Sequence, residues 1–147
     1  MLVVDYFNLL PISMKYPFLL AYQNATKSSG VGGKTKKTFR LGAVILKKNQ
    51  KIAYGFNSYK THPTLKKYTN FPYIHAETSA ILLASRLNSC GIENSCKGCI
   101  IYILRIKRNG EIGFAKPCAT CLYLLRLAGI KRVYYTDSIL LYRQITL

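Results

Sequence analysis

Two short segments carry the strongest signal in the chain, His75-Ala76-Glu77 and Pro117-Cys118-Ala119-Thr120-Cys121. Imidazole and thiolate groups are preferred zinc ligands, and a catalytic zinc site uses three of them and leaves a fourth position open. We therefore predict that His75, Cys118 and Cys121 bind a Zn²⁺ ion. Bound zinc makes water acidic enough to act as a nucleophile near neutral pH. Glu77 follows the histidine closely and is predicted to lie beside that water as an acid and base, not as a ligand.

A C-x-x-C pair alone does not identify a catalytic metal site, because structural zinc sites and thioredoxin-like dithiols also contain it. No strand followed by C-x-x-C opens this chain, which argues against a thioredoxin-like dithiol. The second pair, Cys96-Lys97-Gly98-Cys99, has no obvious partner pair of ligands. The simplest interpretation is that these two cysteines, and Cys90, are free thiols, and a second metal site at Cys96 and Cys99 is the alternative.

The pattern of apolar residues and turn signals predicts alternating strands and helices. The predicted helices are Ser13 to Lys27 with Pro17 in the first turn, His75 to Leu87, and Cys118 to Ala128 capped by Gly129. The predicted strands are Phe39 to Lys47, Lys51 to Asn57, Ile100 to Lys107, Glu111 to Ala115 and Lys131 to Thr136. Loops are predicted for Ser28 to Gly33 and Ser58 to Tyr73, and the tail Ile139 to Leu147 is left open between strand and helix. This order predicts an α/β fold in which helices flank a sheet.

The predicted helix starts support the metal site. Pro117 suits a helix start, where its missing N–H costs nothing. Cys118 and Cys121 lie three positions apart and so on one helix face, close to the positive end of the helix dipole, which favours thiolates. His75 stands at a second helix start, and two helix N-termini are therefore predicted to meet at the metal.

The length of 147 residues predicts one domain, residues 1–147, with a substantial core. No apolar run approaches the roughly 20 residues that a membrane span needs, so no membrane partner is expected. The stretch Met1-Leu2-Val3-Val4-Asp5 lacks the features of a signal peptide. Five cysteines, an odd number, are typical of a reducing compartment, and we expect a cytoplasmic protein.

The charge of the chain is strongly positive, since 22 Lys and Arg residues face five Asp and Glu residues for a net charge of +17. Such an excess attracts polyanions. The chain also contains 12 tyrosines, and aromatic rings among cations suit single strands, whose bases stack and whose phosphates pair with the cations. The alternative is a solvated, lysine-rich surface.

The pattern H-x-E followed by P-C-x-x-C is the signature of zinc nucleobase deaminases, and the chain matches every specified position. On these residues the chain resembles the cytidine and deoxycytidylate deaminase superfamily, which includes tRNA adenosine deaminases and APOBEC-type deaminases. The similarity covers roughly Phe39 to Thr136. It extends to three further segments, Leu41-Gly42-Ala43-Val44-Ile45, Gly55-Phe56-Asn57 and Gly129-Ile130-Lys131-Arg132-Val133-Tyr134-Tyr135.

The resemblance implies a central five-stranded mixed sheet with both metal helices on one face. It implies that Glu77 moves protons from the water to the ring nitrogen and the leaving ammonia. Asn57 matches the position that contacts the sugar, and the backbone N–H of Ala76 matches the group that holds the base. In the loop after Asn57, Lys60 is predicted to bind phosphate, and His62 is predicted to donate a hydrogen bond either to phosphate or within the loop.

The resemblance also bears on the substrate. Histidine as the first ligand is shared with the deoxycytidylate, tRNA and APOBEC-type branches, and Thr120 replaces the bulky residue usual in the tRNA branch. We therefore expect conversion of cytosine to uracil, with single-stranded DNA or RNA as the partner that the charge favours. The alternatives are free dCMP or cytidine nucleotides, adenosine-to-inosine deamination of tRNA, and a zinc-stabilised nucleic-acid-binding module without activity. The presence of Glu77 argues against the inactive module, and the oligomeric state stays open.

Overall fold

The computed structural model describes residues 1–30, 39–60, 62–70 and 73–147. The helices are α1 (Val3–Leu9), α2 (Ile12–Ala25), a 3-10 helix (Pro63–Lys67), α3 (Ala76–Leu87) and α4 (Ala119–Ala128). The strands are β1 (Arg40–Lys47), β2 (Gln50–Phe56), β3 (Ile100–Ile106), β4 (Ile112–Gly113), β5 (Arg132–Asp137) and β6 (Leu141–Thr146). The basic residues Lys34, Lys36 and Lys37 and the end of the predicted loop Ser28 to Gly33 lie outside the described residues.

Five strands lie side by side in the order β2-β1-β3-β5-β6, and the two-residue β4 pairs with the end of β3. The pair β3 and β5 is parallel, whereas the other neighbours are antiparallel. The parallel pair is joined by α4, which is the usual crossover through a helix. The predicted α/β fold with a mixed five-stranded sheet is therefore confirmed, with β4 as a short addition.

Helices cover both faces of the sheet, which explains why its central strands read as continuous apolar runs. Alternate residues of β1 point to opposite faces: Ala43 and Ile45 belong to the core beneath α3 and α4, and Val44 and Leu46 belong to the core beneath α1 and α2. The two metal helices therefore share one face, as the resemblance implied.

The structure departs from the predicted elements at several positions. The tail, left open between strand and helix, forms β6 at the edge of the sheet next to β5. Helix α1 was not predicted, and α2 begins at Ile12, so Pro17 lies inside the helix and not in its first turn. The loop after Asn57 contains the 3-10 helix, and the predicted return strand Glu111 to Ala115 shrinks to the two residues of β4. In the described part of the chain, no helix is long and apolar enough to cross a membrane.

Candidate metal centre and active site

The structure brings His75, Cys118 and Cys121 together at the starts of two helices. His75 is the N-cap of α3 and Cys118 is the N-cap of α4. Their ligand atoms and Cys121 Sγ all lie within 4.8 Å of one another, and His75 Nδ1 is 3.2 Å from Cys121 Sγ. One imidazole and two sulfurs at this spacing fit the donor set of a catalytic zinc site with one open position. Among the described residues, no other group of three such side chains is close enough to hold a metal.

Close packing fixes the position of the α3 start. A Cβ atom on Gly55 of β2 would lie 2.5 Å from the backbone nitrogen of Ala80 and 2.6 Å from the backbone oxygen of Ala76. The helix that follows His75 therefore lies directly on the sheet at a point where no side chain fits.

The two cysteines of the cluster differ in their surroundings. Cys121 is fully buried, and its backbone N–H donates to Cys118 Sγ over 3.4 Å. A hydrogen bond from the Cys121 thiol, together with backbone N–H groups of the first turn, lowers the pKa of Cys118 to about 6. Cys118 therefore loses its proton more easily than an ordinary thiol, as expected for a cysteine at a helix N-terminus, and its thiolate is the form that binds a metal.

Glu77 lies in the first turn of α3 and is almost completely buried, with 3% of its surface exposed. Burial raises the pKa of its carboxyl, against the opposing effects of His75 and Cys121. Its Oε1 atom has no hydrogen-bond partner among the described residues. An acid with a raised pKa and a free oxygen beside the metal ligands is placed to accept and return protons.

The His75 imidazole is also held in place by its neighbours. The ring of Tyr73 stacks on it at 5.2 Å between centroids and an interplanar angle of 17°. Burial lowers the pKa of His75, against the effect of Glu77, and so favours the neutral imidazole that binds metals. Tyr73 could not be singled out from the sequence, because it ends a loop with no periodic pattern.

A cavity of about 180 Å³ opens at the metal ligands. It is lined by Phe39, Leu41, His75, Glu77, Arg105, Phe114, Ala115, Lys116 and Cys118. Sequence reasoning missed Phe39, Arg105, Phe114 and Lys116 as site residues. The sequence did carry a signal for Arg105. Alternate residues of a strand share a face, and Arg105 follows Ile101 and Ile103 on the face of β3 that packs against α3 and α4.

Asn57, the predicted sugar contact, is buried beside the start of β1. Its side-chain oxygen accepts from the backbone N–H of Leu41 at 2.9 Å, and its amide nitrogen donates to the backbone oxygen of Phe39 at 3.1 Å. These two hydrogen bonds hold the backbone at Phe39 and Leu41, and both of those residues line the metal cavity. A contact with a sugar stays a prediction.

Lys60 and His62, the predicted substrate-binding residues of the loop, are not in the wall of the metal cavity. Both line a separate cavity of about 260 Å³ with Ser58, Ile74 and Arg86. His62 caps the 3-10 helix, since its Nδ1 accepts from the backbone N–H of Thr64 at 3.2 Å. The structure therefore uses His62 to order the loop, and a role for either residue in substrate binding stays a prediction. Ala76 stands at the first position of α3, where backbone N–H groups have no partner within the helix.

Comparisons with known proteins agree with this site. The profile described as cytidine and deoxycytidylate deaminase zinc-binding region matches residues 17–137. The crystal structure of a cytidine deaminase from Burkholderia pseudomallei is similar with a TM-score of 0.60 and 16% identity, over 93% of each chain. No match was found among curated proteins.

A second similar structure is the dCMP deaminase of the cyanophage S-TIM5. Its apo form gives a TM-score of 0.57 and 22% identity over 88% of this chain and 86% of the other. Its complex with dCMP and dUMP gives a TM-score of 0.56 and 20% identity over 87% and 84%. At these identities the similarity shows the fold.

The fold and the His/Cys/Cys cluster define a zinc-dependent deaminase, which is a hydrolase. The family profile spans most of the sequence, and the chain therefore belongs to the cytidine and deoxycytidylate deaminase zinc-binding family. Zinc bound by His75, Cys118 and Cys121 would activate water for attack on a nucleobase.

Proposed function

We propose that the protein deaminates cytosine in a free nucleotide, with dCMP as the leading substrate. The observation that carries the deamination of a nucleobase is the small cavity at the metal ligands, with Glu77 buried in its wall. Two aromatic side chains, Phe39 and Phe114, also line the cavity and offer apolar surface to a pyrimidine ring. The cyanophage dCMP deaminase that binds dCMP and dUMP shares the fold, which supports a nucleotide over a polymer.

The reaction adds the oxygen of water to C4 of cytosine and breaks the C4–N bond, giving uracil and ammonia. Glu77 would take a proton from the attacking water and pass protons to the ring nitrogen N3 and to the departing amino group. A carboxyl whose pKa is raised by burial suits this role, because its carboxylate is a stronger base than an exposed one. The backbone N–H of Ala76 would hold the base at the start of α3.

Cytosine in single-stranded nucleic acid is a second candidate. The net charge of +17 favours a polyanion. In a duplex the base would have to leave the stack to reach the metal, so single strands should react faster than duplexes.

A direct comparison of substrates tests the proposal. The zinc-loaded protein is given dCMP, deoxycytidine, a cytosine-containing single-stranded oligonucleotide and its duplex at equal cytosine concentration, and uracil formation is measured. We expect the fastest conversion with dCMP, and conversion at least ~100-fold slower with the Glu77→Gln variant as control. Conversion of the oligonucleotide with inert dCMP would instead favour the second candidate.

Salt dependence separates the same two candidates. Binding of a strand releases many counterions and weakens steeply as salt rises, whereas a nucleotide with one phosphate weakens little. We expect the shallow dependence for the preferred substrate.

A further inference from the structure

The metal cavity is too small for a whole nucleotide. Its volume is about 180 Å³, whereas ligand pockets generally measure roughly 300–1,000 Å³. If the pyrimidine ring occupies this cavity, the sugar and phosphate must extend beyond its wall. The neighbouring surface therefore decides how the phosphate is bound.

A second cavity adjoins the metal cavity at Phe39, which lines both. It has a volume of about 320 Å³ and lies where β3 ends. It is lined by Ser28, Ser29, Gly30, Phe39, Arg40, Ile106, Lys107 and Arg108. We call it the basic cavity, because three of its lining side chains are cationic and none is acidic.

Arg105 stands at the boundary between the two cavities. Its guanidinium carbon lies 5.0 Å from the centroid of the Phe39 ring, which is the geometry of a cation–π contact. Its stem lies close to Gly113, where a Cβ atom would come within 3.2 Å of Arg105 Cδ. The Nε atom is buried and has no hydrogen-bond partner among the described residues. Buried donors are normally paired, so this guanidinium group is not fully satisfied by the described residues around it.

The arginines around the boundary also lack carboxylate partners. All five acidic residues of the chain belong to the described part. Glu111 pairs with the N-terminus and Lys107, and Asp137 pairs with Arg143. Within the described ranges Arg40, Arg105 and Arg108 form no ion pair. Their positive charges can therefore attract an anion from outside the protein.

We propose that the basic cavity is the phosphate-binding subsite of the enzyme, with Arg40 and Arg108 as its principal ligands and Arg105 at its boundary with the base. The guanidinium group presents paired N–H donors that match phosphate oxygens. The inference rests on the proposed function, since the phosphate belongs to the substrate whose base enters the metal cavity. The phosphate is either the 5′-phosphate of a free nucleotide or a phosphodiester of a single strand.

The opposite end of the sheet provides a matched control. A cavity of about 280 Å³ there is lined by Lys47, Lys48 and Lys131 among others, and by no metal ligand. Replacing Lys48 and Lys131 with Gln removes the same charge as replacing Arg40 and Arg108 with Gln. The two double variants separate a local subsite from the general field of a basic protein.

The test measures binding by calorimetry in the Glu77→Gln background, which prevents turnover. The ligands are dCMP, deoxycytidine, inorganic phosphate and a single-stranded oligonucleotide, and zinc content and thermal midpoint verify that each variant is folded. We expect Arg40→Gln with Arg108→Gln to weaken dCMP binding about 10-fold or more and to leave deoxycytidine binding unchanged. Arg105→Gln should weaken dCMP binding in the same direction. The Lys48→Gln, Lys131→Gln control should change both by less than about 2-fold.

The outcomes are distinct. Equal losses in the two double variants, or unchanged binding of both dCMP and oligonucleotide in the arginine variant, would overturn the subsite. A loss confined to the oligonucleotide supports the subsite and identifies the phosphate as a phosphodiester. If wild-type protein deaminates no cytosine substrate while the arginine variant still loses phosphate or dCMP binding, the proposed function fails and the subsite stands.

Discussion

Two C-x-x-C pairs lie at opposite ends of helix α4 and have opposite characters. Cys118 and Cys121 stand at its N-terminus, near His75, and the pKa of Cys118 is lowered to about 6 by hydrogen bonds from Cys121 and the first turn. Cys96 and Cys99 lie at its C-terminus, and burial raises the pKa of Cys96 to about 11. The same spacing thus gives two members of a cluster that could hold a metal in one place and two thiols with raised pKa values in the other.

Burial raises the pKa values of Cys96 and Cys99, and the two helix ends add to the difference between the pairs. An N-terminus offers free N–H groups and positive potential, which stabilise a thiolate, whereas a C-terminus offers carbonyl oxygens and negative potential. The segment from Cys96 to Cys99, here called the Cys96 turn, provides hydrogen-bond donors for those carbonyls. The backbone N–H of Cys96 donates to the backbone oxygen of Ala128 over 2.8 Å, and that of Gly98 donates to the backbone oxygen of Gly129 over 3.0 Å. The second pair therefore belongs to a turn that caps α4, and spacing alone does not identify a metal site.

Replacing a cysteine of the first pair should have the largest effect. We expect Cys121→Ser to lose zinc and all activity, since the variant keeps only two of the three ligands. The protein should also lose the stabilisation that bound metal provides, about 4 kcal/mol when free zinc exceeds Kd 1,000-fold. Elemental analysis and thermal unfolding measure both effects, and full zinc retention would contradict the assignment.

Removing the acid next to the metal should affect turnover without affecting the metal. Glu77→Gln preserves the shape of the side chain and removes its titrating group. We expect turnover to fall at least ~100-fold, the usual scale of general acid–base catalysis, with zinc content unchanged. Ammonia release at the wild-type rate would mean that another group moves the protons.

A change at the junction of α4 with the Cys96 turn should affect stability alone. Gly129 has a φ of +90°, and an added Cβ atom would lie 2.8 Å from Lys97 Cα. We expect Gly129→Ala to lower the free energy of unfolding by about 1–3 kcal/mol and to leave the zinc content unchanged. Gly91→Ala is the control, because a Cβ there meets nothing within 4 Å. Equal stability of the two variants in chemical denaturation would be evidence against this packing.

Removing the remaining thiols should have the smallest effect. The combined variant Cys90→Ser, Cys96→Ala, Cys99→Ala should keep zinc and activity, with a stability loss of roughly 1–2 kcal/mol from the two buried sulfurs. Zinc content and deamination are measured against wild type. Loss of zinc from this variant would show that the second pair takes part in metal binding.

The sequence predicted the elements whose signals are local. The apolar run of β3 and the two metal helices follow from periodicity, and the ligands follow from spacing at helix starts. Helix α1 was missed because seven residues are too few to form a stable helix alone, and it depends on the packing of Tyr6. The alternation of β3 could have pointed to Arg105, but its contact with Phe39 could not be predicted, because that contact depends on the register that pairs Leu41 with Arg105.

The most direct test of the metal centre is X-ray absorption at the zinc edge of the protein, with zinc content measured on the same sample. We predict one zinc per chain with two sulfur ligands at about 2.3 Å, one nitrogen at about 2.0–2.1 Å and one further light atom. The spectrum of the variant that lacks Cys90, Cys96 and Cys99 should be the same. A shell of four sulfurs, or a spectrum that changes in that variant, would contradict the assignment of His75, Cys118 and Cys121.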